Sequence, residues 1–169
     1  GGKQLSPVTI SRGTADPAGR SVSRMSPEPA TPPPITPDDK DWTWVLDRPC
    51  PECGVDAAGL DLASVPAEVR AIAARLADLL ADERATVRPA PHTWSALEYA
   101  CHVRDVFVLY DERLHLMLDR DDPLFANWDQ DVTAVEDAYA AQDPAVVTRE
   151  LIEAADLFAS SYEAMSPEQ

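Results

Sequence analysis

The sequence predicts an all-α protein. Three stretches repeat apolar residues at spacings of three and four, and residues typical of helix ends bracket them. No convincing run alternates apolar and polar residues in the manner of a strand. With 169 residues the chain has room for one domain of ordinary size.

Residues 1–40 are poor in apolar side chains and rich in Pro and Ser. The run PEPATPPPITP resists helix because proline lacks an amide proton and restricts the residue before it. A disordered or extended lead is expected there. The sequence begins on Gly1, and Met25 is a plausible natural start, the residues before it being upstream or expression-derived. Residues 41–65 hold WTWVL and Cys50-Pro51-Glu52-Cys53-Gly54, and are expected to form an irregular segment packed on the helices.

The first helix is expected over 66–82. Pro66 and Glu68 suit its start, and Val69, Ile72, Ala73, Leu76, Leu79 and Leu80 form its apolar stripe. Pro89 and Pro91 break the connector. The second and longest helix is expected over 95–119, where Ser95 and Glu98 form the S-x-x-E capping box. Leu97, Cys101, Val108, Leu114, Met117 and Leu118 favour one face of it. His102, Val106, Leu109 and Leu116 favour an adjacent one, so this helix should touch more than one neighbour. Residues 120–131 form a loop anchored by Phe125 and Trp128. A short helix follows over 133–141 and a last one over 144–164, capped by Asp143. The inner side of the last helix carries Val147, Leu151, Ala154, Leu157, Phe158 and Met165. Three long amphipathic helices usually want a fourth to close the core. The expectation is an up-down four-helix bundle, partial over 66–169, with the sequence stopping short of its last helix. A partner chain or the Trp-rich lead would be the other sources of cover.

Charge narrows the partners. The net charge is −16. Lys3, Arg12, Arg20 and Arg24 against Asp16 leave the first 24 residues at +3, so residues 25–169 carry −19. Such a surface repels nucleic-acid phosphates and opposes docking on anionic membranes. No run approaches the roughly 18 apolar residues of a membrane span, and no signal-peptide pattern is present. Three cysteines argue against a disulfide framework. A cytoplasmic protein acting on a small molecule is the expected class. Abundant Ala, Arg, Asp and Pro with only Lys3 and Lys40 suggest a GC-rich bacterial source.

His102 is the first candidate for chemistry. Glu98, His102 and Asp105 stand four and three residues apart and so share a helical face. A neutral imidazole is the commonest metal ligand, and a nearby carboxylate can fix its tautomer. A lone histidine is also commonly a packed residue, and a site needs more donors from elsewhere. His115, thirteen residues on, lies about 20 Å along the same helix and cannot share a metal with it. His92, in the connector, could approach the end of the bundle. Cys101 fits a small core residue. Cys50 and Cys53 make a C-x-x-C turn with a following glycine. The alternatives are inert thiols, half of a structural zinc site, or a redox pair. Asp129, Asp131, Glu136 and Asp137 form either a solvated acidic loop or carboxylates near a metal. No phosphate-binding glycine loop and no nucleophile elbow is present.

The stretch WSALEYACHVRDV, through Trp94, Ser95, Glu98, His102, Val103 and Asp105, resembles the second-helix signature of the DinB/YfiT-like four-helix-bundle superfamily. A looser likeness runs from residue 66 to the end, and WTWVLDRPCPECG and NWDQD are similar to an actinobacterial branch. The resemblance implies a divalent metal, zinc or nickel, held by the His of the second helix and two ligands from the fourth. It also implies thiol transfer or isomerisation with a low-molecular-weight thiol such as mycothiol. Carried over, it makes His102 the metal ligand, with Glu98 and Asp105 as carboxylates that would orient it. No histidine follows His115, so the implied fourth-helix ligands are not in this sequence. The rival expectations are a non-catalytic helical interaction module, such as a homodimer, and a zinc or redox role for Cys50 and Cys53.

Overall fold

Helix α1, Val65–Leu80, starts where Pro66 presents a preset φ and no amide that would need a partner. The computed structural model describes Ile35, Asp41 and residues 43–166, all within the unit Pro32–Gln169. Apart from Ile35, the expected lead over 1–40 lies outside the described residues. Helix α2, Ala96–Asp119, opens with the full capping box. The Ser95 hydroxyl accepts from the Glu98 amide and the Glu98 carboxylate accepts from the Ser95 amide. Asp129 caps α3, Gln130–Glu136, and Asp143 caps α4, Pro144–Glu163, each accepting from two backbone amides. The short helix expected over 133–141 is two pieces. Ala138 takes φ +49°, which ends α3 before a single 3-10 turn at Tyr139–Ala141. Among the described residues there is no strand beyond an isolated bridge between Ala90 and Thr93. No described helix is long and apolar enough to cross a membrane.

Helix directions follow from who meets whom. Arg70, early in α1, pairs with Asp156 and Glu163 late in α4 at 3.1 and 2.6 Å, so these two helices are antiparallel. Cys101 meets Gln142, Arg104 meets Glu150, and Phe107 stacks near Phe158, so α2 and α4 run the same way. Residues 120–129 must therefore return along α2. They do so: Ala126 lies at Arg113, and Trp128 lies a further three turns back at His102. The simple up-down alternation expected from the sequence gives way to one crossover connection between parallel helices.

The core sits where the three long helices meet. Val69 and Ala73 of α1, Leu97, Ala100, Cys101 and Phe107 of α2, and Val147, Leu151, Ala155 and Ala159 of α4 are buried together, with Tyr139 beneath them. Several residues expected to face inward are at the surface: Ile72 and Leu79 of α1, Val108, Met117 and Leu118 of α2, and Leu157 of α4. The periodic stripe is wider than the surface the neighbouring helices cover. The segment before α1 is three 3-10 turns, Thr43–Leu46, Ala57–Gly59 and Leu62–Ser64. The first contacts the second, and the third contacts α1.

Candidate functional site around His102

His102 sits one turn and a half into α2, held there by the capping box that fixes the helix start. Two indoles pack against its imidazole. The Trp94 ring is 5.3 Å away at 46°, and the Trp128 ring stacks at 5.5 Å and 5°. Trp94 comes from the residue before the N-cap and Trp128 from the returning crossover, so this packing depends on both connections. The His102 Nδ1 atom is buried without a hydrogen-bond partner. Burial depresses the imidazole pKa below its ordinary 6.5, against the opposing pull of Asp105 and Asp131. The ring is therefore neutral at pH 7.

His102 lines two cavities. The larger, about 500 Å³, runs along α2 toward Arg113 beneath Trp128 and Asn127. The smaller, about 310 Å³, is lined by His92, Tyr99, Gln130 and Asp131. Arg113 stands at the far end of the larger one. Its guanidinium lies over the Tyr110 and Phe125 rings at 5.6 and 5.2 Å and donates to the Ala126 carbonyl at 3.1 Å. Phe125 does serve as an anchor, through this stacking, although its ring stays partly exposed.

The two carboxylates on the His102 face are engaged elsewhere. Glu98 is buried and accepts from the Arg88 guanidinium, with one contact at 2.9 Å, and from the Ser95 amide. Burial alone would raise its pKa, but the bonds to Arg88 and Ser95 outweigh that and hold it below the ordinary value. Asp105 accepts from the Tyr139 hydroxyl and from Arg104, whose guanidinium also reaches Gln142 and Glu150. Burial, reinforced by Asp105, pushes the Tyr139 hydroxyl pKa upward. Asp105 thus acts on His102 through charge, while its hydrogen bonds tie the 3-10 turn to α2.

Cys101 is a core thiol, as its position implied. It is fully buried, touches Gln142, and has its pKa pushed up to about 12, chiefly by burial. His115 lies exposed, its Nδ1 at 2.8 Å from the Asp111 carbonyl, away from His102. Of the acidic cluster, Asp129 is the α3 cap, Asp131 faces the smaller cavity, and Glu136 and Asp137 are exposed. Cys50 and Cys53 stand outside the helices. Among the described residues no three His, Cys, Asp or Glu side chains are grouped closely enough to hold a metal ion.

Sequence reasoning missed the roles of Arg88, Arg113 and Tyr139. An arginine ten residues before a capping-box glutamate carries no periodic signal, and neither does a tyrosine in a 3-10 turn. No protein-family model matches the sequence, and no curated protein or solved structure matches it either.

Proposed function

We propose that this protein is a helical small-molecule-binding protein whose reactive group is His102, and that metal-dependent thiol transfer or isomerisation is centred there. The observation that carries the proposal is His102 itself, a neutral imidazole that lines both cavities and whose Nδ1 is buried without a partner. A buried nitrogen without a partner loses its hydration for nothing unless a ligand supplies the missing bond. Neutral imidazole is the form that binds zinc or nickel.

Of the donors such a metal needs, the described residues place one, His102. His92 and Asp131 share the smaller cavity with His102, but these groups do not converge as a ligand set. When bound, a divalent metal would lower the pKa of a thiol or water. The remaining roles belong to the chain itself. Trp94 and Trp128 pack against the imidazole, Trp128 stacked parallel to its plane, and hold its orientation. Arg113, a cation in the larger cavity of a very acidic protein, offers a bidentate partner for a carboxylate or phosphate on the substrate.

Calorimetric titration of zinc and of nickel into the Cys50→Ser, Cys53→Ser protein tests the metal assignment free of thiol binding. The expected result is saturable binding that is lost in the further variant His102→Ala. Equal affinity in both proteins sinks the assignment. A competing reading, a homodimer module, draws on the exposed apolar residues of all three long helices.

A further inference from the structure

The turn at Cys50-Pro51-Glu52-Cys53-Gly54 is built in a way its sequence only hinted at. Gly54 takes φ +77°, a conformation side chains resist, and no atom lies near the Cβ it lacks. Its amide donates to the Cys50 carbonyl at 2.8 Å, and the Cys50 amide donates to the Val55 carbonyl at 2.8 Å. This reverse turn folds the backbone amides of Glu52 and Cys53 onto the Cys50 sulfur and brings the Cys53 thiol within hydrogen-bond reach of it. Both sulfurs thus lie together, with Cys53 exposed and Cys50 only 6% exposed.

Structural zinc takes four ligands, and thiolates suit it best. Among the described residues no third His, Cys, Asp or Glu side chain stands close enough to Cys50 and Cys53 to complete the set. Cys101 is sealed in the helical core, and His115 lies on α2 bonded to Asp111. His92 borders the cavity beside His102. Two sulfurs from one chain and two from an identical chain make four, arranged about a two-fold axis as closed dimers are. The surrounding surface is suited to such an approach. On the same segment Leu46, Val55, Leu60 and Leu62 are 69%, 51%, 58% and 65% exposed. These residues can cover the site once two copies meet.

We infer that Cys50 and Cys53 form half of a tetrahedral zinc site that a second copy of this chain completes, so that zinc joins two chains through four cysteines. Each thiol releases its proton as it binds, and no oxidant or reductant is needed. The site is independent of His102.

The reduced, metal-free chain is titrated with zinc and followed by size-exclusion chromatography with light scattering. The expected result is a doubling of mass that saturates at one zinc per two chains and is reversed by a chelator. Cys50→Ser with Cys53→Ser abolishes the doubling, while His102→Ala leaves it intact. Cys53→Ser alone, at an exposed position, gives the same loss without risk to folding, and unchanged helical circular dichroism verifies this. Cobalt in place of zinc is expected to give the intense sulfur-to-metal absorption of four thiolates. Zinc binding at one ion per monomer, doubling that survives the double variant, or no zinc binding at all would each overturn the inference.

Discussion

The two halves of α2 share one periodic pattern and meet different surroundings. In the first half Leu97, Ala100 and Cys101 are fully buried, and Glu98 is buried with its carboxylate bonded to Arg88 and Ser95. In the second half Val108, Tyr110, Met117 and Leu118 are exposed, and buried Asp111 has an oxygen with no partner. The first half is enclosed by α1, α4 and the Tyr139 turn, whereas the returning crossover covers only part of the second. Periodicity states which residues could be buried. The number of neighbours determines which of them are.

That contrast is testable first by core truncation. Leu97→Ala should destabilise by about 2–5 kcal/mol, since a fully buried side chain leaves a cavity among packed helices. Met117→Ala, on the same helix, should stay within about 0.5 kcal/mol. Urea unfolding of both variants reads the difference. Equal losses would mean that the second half is covered in solution, as a dimer through the bundle faces would require.

Of comparable size is the polar network at the start of α2. Glu98→Ala removes a helix cap and leaves the Arg88 guanidinium without its buried carboxylate. The expected loss is on the order of 3–5 kcal/mol. Acid should reproduce part of it. The folded pKa of Glu98 lies below its ordinary 4.5, so its contribution is present above about pH 4.5 and fades as pH falls through the folded value. His102 adds a separate step at higher pH. Its folded pKa is also depressed, so protonation favours the unfolded chain, and stability declines as pH drops below its ordinary 6.5. His102→Gln should flatten the profile between pH 5 and 7 and leave the acid step in place. A wild-type profile already flat over that range would show that burial does not depress this imidazole.

Much of this was legible in the sequence, for physical reasons that vary by element. The cap residues Ser95, Asp143 and Pro66 act within a turn of their own position, so their roles could be read directly. The placement of Cys101 in the core and His102 on an adjacent face followed from the 100° step of a helix. The direction of α4 was not legible. It depends on where the 120–129 segment goes, and that is set by Trp128 stacking on His102 and by Arg113 holding the Ala126 carbonyl, both distant in sequence. The engagement of Glu98 and Asp105 was hidden for the same reason. Their partners Arg88 and Tyr139 lie outside the helix that makes those carboxylates neighbours of His102.

The smallest effect concerns Asp111, and its sign is the informative part. The Asp111 Oδ1 atom is buried without a partner, and its other oxygen lies 3.6 Å from His115 Nδ1. His115 Nδ1 lies at 2.8 Å from the Asp111 carbonyl, in position to donate to it, which leaves the carboxylate little. A buried carboxylate with so little compensation lowers stability more than it adds. Replacing it with an apolar side chain of similar size removes the orphan atom, so Asp111→Leu should be neutral or stabilising by up to about 1 kcal/mol. This is opposite in sign to the loss expected at Glu98, although both are acidic residues on the buried side of one helix. The urea midpoint decides it. A loss above about 2 kcal/mol would mean that Asp111 has a bonding partner in solution. The second half of α2 would then be as fully satisfied as the first.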